Sequence, residues 1–220
     1  MDLSVKELSA FLMIPEKEIM KMVKSKLLPF HKAHDKILFN KQQAIEWALI
    51  NNHPINLSTG TLFREYVVDS ILPMVDASSF HYACPFTETD YIGQMVERVD
   101  FKQPVDRDVV IQLLKSREQL MSTAIGNGIA LPHPRIPLVL GQDKPIIQFF
   151  FPERFLALNS IDGQPVHTLI LIISQTIRQH LSLLAHLSYL LSKSEFQEAL
   201  RERYAFDAIA GIIERLESVK

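Results

Sequence analysis

The sequence predicts an α/β protein in two parts: a small domain of helices and a two-stranded wing over residues 1–54, then a layered α/β domain over residues 58–220. Three observations carry this. Near the N-terminus, Val5, Leu8 and Leu12 recur at helical spacing, and a second helical pattern follows Pro15. Further on, apolar runs such as Pro145–Phe151 and Val166–Ile173 alternate with helical stripes, the pattern of helices layered on a sheet. Between the two regimes, Asn52–Asn56 and Ser58–Gly60 gather turn formers and mark a short boundary.

In the first part, Ser4 with Glu7 three residues later is a capping-box signature. The helix it opens breaks at Met13–Pro15, and Pro15 suits the first position of a second helix running to about Ser25. Leu28 and Pro29 end that helix. Residues 31–40 read as a small hairpin with Ile37, Leu38 and Phe39 in its return strand, and a third helix has Ile45 and Trp47 as core anchors. Helix, turn, helix, wing, helix is the layout of a winged helix-turn-helix. It resembles the excisionase/MerR-like DNA-binding family, whose pattern runs Leu-Ser-x-x-Glu-x-Ala-x-x-Leu, a recognition helix, Leu-Pro, a basic wing, then Glu-Trp-Leu. The residues that would read bases depart from that pattern. Residues 1–53 hold eight lysines, six acidic residues and no arginine, and bidentate readout of guanine is largely an arginine task. Lys17, Lys21, Lys24, Lys32 and Lys36 are the candidate phosphate contacts, so the expectation is weak DNA binding with little sequence preference, or a protein-contact module.

In the second part, residues 62–75 read as a helix, and Phe80–Pro85 as a strand entering the sheet. Thr87 with Asp90 can cap a helix whose Ile92, Met95, Val96 and Val99 form one face. Asp106 starts another, with Val110, Leu113 and Leu114 as its stripe. Arg117 falls at the next position of that stripe and is aimed inward, where it needs an anionic partner, Glu118 or a neighbouring acid if its role is structural. After the Ile161–Val166 turn and the Val166–Ile173 strand, Thr176 and Gln179 form a second capping box. They open the longest helix, to about Lys193, with a stripe of His180, Leu184, Leu187 and Leu191. His186 shares a solvated face with Ser182, Tyr189 and Lys193, His53 is solvated, and His167 packs or faces water at a strand start. Two helices near 195–203 and 206–217 close the chain.

The segment Arg117–Arg135 concentrates chemistry. Ser122 and Thr123 lead to a Gly126-Asn127-Gly128 turn that permits positive φ, and Ile129–Leu131 forms a short buried strand. Pro132 and Pro134 fix the backbone on both sides of His133, whose neutral imidazole is a good nucleophile. The segment closely resembles the phosphorylation motif of bacterial phosphotransferase-system enzyme IIA domains of the mannitol/fructose and nitrogen-regulatory class. That pattern runs Arg-Glu-x-x-x-Ser-Thr-Gly-x-Gly-x-Gly-Ile-Ala-x-Pro-His-Gly. Ala124 replaces the first glycine and Pro134 the glycine after the histidine, while Ile161–Val166 resembles the family's Ile-Asp-x-Gln-Pro-Val segment. The resemblance covers roughly residues 58–218. It implies a layered domain with a mixed sheet and helices on both faces, and His133 as acceptor of a phosphoryl group from the phosphocarrier HPr or its nitrogen-branch relative. It further implies that Arg117 offsets charge, that His180 hydrogen-bonds the phosphoryl group, and that Ser122, Thr123, Gly126, Asn127 and Gly128 surround it. Phosphoryl acceptance of this kind is positioning plus charge neutralisation and needs no cofactor.

Composition bounds the alternatives. A net charge of −2 argues against a general polyanion binder, and a single cysteine, Cys84, excludes an internal disulfide. The longest aliphatic run, Leu169–Ile173, is too short to span a bilayer, so a cytoplasmic protein with no membrane partner is expected. A homodimer is compatible with the sequence. A transcription regulator whose second domain senses a partner without phosphotransfer is the main competing reading. A metalloenzyme built on His133, His180 and His167 lacks close ligand spacing, and nucleotide binding lacks both the third glycine of a dinucleotide fingerprint and a P-loop lysine.

Overall fold

The computed structural model describes residues 2–33, 36–51, 53, 70–138 and 144–218. The chain divides into two compact units, Met1–Val68 with Leu181–Ser192, and Asp69–His180 with Lys193–Lys220. The boundary residues 54–60 and most of the helix expected over 62–75 lie outside the described residues; within that span Leu72–Met74 is a single 3₁₀ turn.

The first unit runs β1 (Asp2–Ser4), α1 (Val5–Leu12), α2 (Glu16–Lys24), β2 (His31–Ala33), β3 (Lys36–Asn40) and α3 (Lys41–Ile50). Ser4 caps α1 in a complete box: its hydroxyl accepts from the Glu7 N–H while Glu7 Oε2 accepts from the Ser4 N–H at 2.8 Å. Met13 closes α1 in the left-handed conformation, φ 53°, a turn more often given to glycine. Pro15 is the N-cap of α2, one place earlier than expected. The expected two-stranded hairpin gains a strand: β1 pairs antiparallel with β3, giving the sheet order β1-β3-β2. Leu8, Phe11, Leu12, Ile19, Val23, Phe39 and Ile45 are buried. Trp47 is only half-buried. Its ring stands 5.7 Å from His53, whose Nε2 reaches the Leu12 carbonyl at 2.6 Å, so His53 is tied to the fold rather than simply solvated.

The second unit is built on a mixed five-stranded sheet of order β4-β7-β8-β6-β5. Its strands are β4 (Phe80–Cys84), β5 (Ala124–Gly126), β6 (Ile129–Ala130), β7 (Ile146–Pro152) and β8 (Thr168–Ile173). β4 runs parallel to β7 and β6 parallel to β8, while β7–β8 and β5–β6 are antiparallel. The two central strands are buried on both faces, which explains their nearly continuous apolar sequences. On one face Ile146, Phe150, Leu169, Leu171 and Ile173 join the apolar stripes of α4 (Tyr91–Arg98) and α5 (Arg107–Leu120) in one core. On the other, Phe149 stacks on Phe80 at 4.5 Å, and Phe80 meets Phe206 of the last helix. The remaining helices are α6 (Ile177–Leu191), α7 (Ser194–Arg201) and α8 (Phe206–Ser218).

Three local expectations are corrected. Asp90, not Thr87, is the N-cap of α4, without a side-chain cap bond; the Thr87 N–H donates to Gln94 Oε1 instead. At α6 the Thr176 hydroxyl accepts from the Gln179 N–H, but Gln179 Oε1 reaches the Gln175 N–H, one residue short of a reciprocal box. His186 is fully buried, not solvated. Ser182 and Ser188 are buried beside Leu183, Leu184 and Leu187, so this part of α6 has little polar, water-facing side.

Candidate functional site

Three segments converge at the end of β8. Strand β6 runs parallel to β8, and beyond it the Pro132 carbonyl still accepts from the Ile172 N–H at 3.0 Å, so residues 131–133 continue alongside β8. α5 brings Arg117 to the same place. Its N-cap Asp106 accepts from the Val109 N–H, and the helical stripe then buries Val110, Leu114 and Arg117 in sequence. The first turn of α6 supplies His180, where the helix N-terminus favours anions and neutral imidazole.

The geometry around His133 is specific. Its Nδ1 lies 2.7 Å from the Leu131 carbonyl oxygen, and a carbonyl can only accept, so Nδ1 carries the proton. Nε2 therefore holds the lone pair, and the Arg117 Nε–H donates to it at 3.3 Å. Arg117 Nη1 donates to the Met121 carbonyl at 2.8 Å, which fixes the guanidinium plane. The His180 ring sits 5.1 Å from the His133 ring, centroid to centroid, tilted by 46°. His133, His180 and Arg117 are all buried. Around them Leu120, Met121, Ile136 and Ile177, from the same three segments, are exposed apolar side chains. The Glu118 carboxylate accepts from Ser122 and Thr123.

The structure brings Arg117, His133 and His180 together, but it separates the other expected phosphate ligands from them. Ser122 and Thr123 are close by, yet both hydroxyls donate to Glu118, at 2.9 and 2.6 Å, which leaves neither proton for an oxyanion. The Gly126-Asn127-Gly128 turn lies at the opposite end of β6. The Gly128 carbonyl accepts from the N–H groups of His167 and Thr168, at the start of β8. Five extended residues from there to His133 cover on the order of 15 Å. These glycines stand in close packing. Gly126, Asn127 and Gly128 all have positive φ. A Cβ on Gly126 would meet Asp162 Oδ2 at 3.0 Å, and one on Gly128 would meet the His167 ring at 2.2 Å. Asp162 Oδ2 also accepts from the Asn127 N–H at 2.7 Å, docking the Ile161–Val166 turn. His167 is buried beneath the hairpin with Nδ1 2.8 Å from Thr168 Oγ1, and burial pushes its pKa down. Closeness in sequence stood in for closeness in space here, although the intervening strand is extended.

Glu118, expected from the sequence as a partner for Arg117, instead holds the Ser122–Thr123 turn. It accepts from the Ser122 hydroxyl, the Thr123 N–H and the Thr123 hydroxyl. An acid in the last turn of a helix followed at i+4 and i+5 by Ser-Thr is the signal that could have found this role. Among the described residues no group of three or more His, Cys, Asp or Glu is placed to hold a metal ion, and no helix is long and apolar enough to cross a membrane. The candidate DNA contacts Lys17, Lys21, Lys24, Lys32 and Lys36 are exposed on α2, β2 and β3, with Lys21 Nζ paired to Glu18 at 2.7 Å.

Residues 87–216 match the family model described as "Phosphoenolpyruvate-dependent sugar phosphotransferase system, EIIA 2". The chain is 29% identical over 167 residues to the fructose-specific EIIABC component of Bacillus subtilis, a match covering 75% of this chain and 22% of that protein's length. It is 30% identical over 110 residues to the nitrogen regulatory protein of Pseudomonas aeruginosa, covering 49% of this chain and 70% of the relative. The fold is similar to that of the nitrogen regulatory protein IIA-Ntr from Neisseria meningitidis, with TM-score 0.55 at 19% identity, covering 64% of this chain and 97% of that one. It is likewise similar to IIA mannitol from Escherichia coli, with TM-score 0.53 at 18% identity, covering 63% and 98%. With the family match spanning more than half its length, the chain belongs to the EIIA 2 family of the phosphoenolpyruvate-dependent sugar phosphotransferase system.

Proposed function

We propose that the chain is a regulatory, nitrogen-branch-like enzyme IIA protein of the cytoplasm that accepts a phosphoryl group on His133 from HPr or its nitrogen-branch relative. The observation that carries this reading is the fixed ring of His133, with Nδ1–H held by the Leu131 carbonyl and the Nε2 lone pair facing Arg117. In the transfer, Nε2 bonds to phosphorus as the donor's N–P bond breaks, and the donor ring departs as neutral imidazole with a proton on its other nitrogen. His133 keeps its Nδ1 proton against the Leu131 carbonyl, so the ring's new positive charge meets an acceptor. The phosphoryl oxygens meet the Arg117 guanidinium and a hydrogen bond from His180. Such a transfer depends on positioning and charge stabilisation, which these side chains supply. The exposed Leu120, Met121, Ile136 and Ile177 suit a protein donor better than a small substrate. The relatives described as nitrogen regulatory proteins support a regulatory role over sugar transport.

The test is phosphoenolpyruvate-driven phosphorylation through the carrier proteins, read by intact mass before and after acid treatment. An acid-labile, base-stable phosphoryl adduct is expected on the wild type and not on His133→Ala. An equal adduct on the variant refutes the assignment.

For the first unit, the order helix, helix, two-stranded wing, helix supports a winged helix-turn-helix of the excisionase/MerR-like kind. The exposed lysines on α2 and the wing favour a second reading, in which the chain is a transcription regulator whose IIA-like domain senses a partner without phosphotransfer.

A further inference from the structure

We propose that Glu118 is the positioning residue of the site, setting both the tautomer of His133 and the orientation of Arg117. This rests on the reading of His133 as phosphoryl acceptor. Two hydrogen-bonded arms leave the Glu118 carboxylate. In the first, Glu118 Oε1 accepts from the Ser122 hydroxyl at 2.9 Å and so pins the turn that follows α5. The preceding residue of that turn, Met121, presents its carbonyl to Arg117 Nη1 at 2.8 Å, and Arg117 Nε then meets His133 Nε2. In the second, Glu118 Oε2 accepts from the Thr123 N–H at 3.0 Å and from its hydroxyl at 2.6 Å. The Thr123 carbonyl accepts from the Leu131 N–H at 2.9 Å, and the Leu131 carbonyl in turn takes the His133 Nδ1–H at 2.7 Å. One carboxylate thus anchors the segments that hold both nitrogens of the reacting ring.

The two carboxylate oxygens have acceptor sites for all three donors at once. The buried Tyr91 ring flanks the same group, and burial, then the Glu118 charge, push the Tyr91 phenol's pKa up. With Thr89, Tyr91, Ile92 and Lys115, Glu118 also lines an open cavity of about 270 Å³. Truncation therefore enlarges an existing cavity instead of leaving a void in the packed sheet core, and the fold is expected to survive.

The experiment compares Glu118→Ala, Glu118→Gln and wild type in the full chain. The His133 tautomer is read from imidazole ¹⁵N shifts, and single-turnover transfer from phosphorylated carrier gives kcat and KM separately. Glu118→Ala is expected to move the ring from the Nδ1–H form toward a mixture and to lower kcat by about 10- to 100-fold with KM little changed, the effect of a small misplacement of reacting groups. Glu118→Gln keeps an acceptor for Thr123 and should lose less. A folded Glu118→Ala with the wild-type tautomer and kcat overturns the proposal. If Glu118→Ala does not fold, Glu118→Gln and Thr123→Val carry the same test through the second arm. A wild type that gains no phosphoryl group while its variant shifts tautomer overturns the acceptor reading and leaves Glu118 as the residue that sets the ring.

Discussion

At His133 two bonds of different chemistry meet on one ring: a carbonyl holds the proton on Nδ1, and a guanidinium donates to the lone pair on Nε2. On the proposed reading a phosphoryl group displaces the second bond, and Arg117 then passes from ring nitrogen to phosphoryl oxygen. Its planar fork matters as much as its charge, because Nη1 stays on the Met121 carbonyl while Nε serves the site. Arg117→Ala and His180→Ala are each expected to cost transition-state stabilisation of roughly 2.7–4 kcal/mol, as for loss of one preorganised donor. Arg117→Lys keeps the charge but not the fork, and should fall closer to the alanine variant than to wild type. Single-turnover transfer by folded variants checks this, and wild-type rates would remove both side chains from the site.

The β5–β6 hairpin packs closely on Asp162 and His167 through its two glycines. Gly128 combines φ 70° with a His167 ring where its Cβ would stand. Gly128→Ala is therefore expected to destabilise the fold by about 2 kcal/mol or more, from backbone strain and overpacking together. Phosphoryl acceptance by the fraction that remains folded should be unchanged. Urea melts paired with transfer assays separate the two, and a variant as stable as wild type would show that the ring can move aside. At this scale the sequence was legible at several elements where periodicity or a cap spoke. The Ser4–Glu7 box, the Asp106 cap, the inward Arg117 and the two central strands all stand in the structure. It was not legible where partners come from distant segments. Asp162 beneath Gly126, His167 beneath Gly128 and the burial of His186 depend on tertiary packing that no local pattern encodes. The three-residue β1 is too short for period-two alternation to register.

Across the whole chain, charge is unevenly distributed. The net charge is −2, yet residues 1–53 hold eight lysines against six acidic residues. Glu16 and Glu18 occupy the first turn of α2, where they suit the helix dipole and repel phosphates, and Glu18 occupies Lys21 as well. The remaining cations on α2 and the wing are exposed point charges without the bidentate geometry that reads guanine. Binding to DNA by the intact protein is therefore expected to be weak, indifferent to sequence and steeply salt-dependent. If all five lysines engage phosphate, affinity should fall by on the order of 10²-fold or more between 50 and 200 mM salt. Fluorescence anisotropy on a random duplex library at those two salt concentrations measures it, with Lys17→Glu/Lys24→Glu/Lys32→Glu as the charge-reversed control. Loss of the signal in the control supports phosphate contact by this surface, and absence of any binding assigns the unit to protein contact instead. A single tight sequence that persists at the higher salt would overturn the prediction and make the transcription-regulator reading the stronger one.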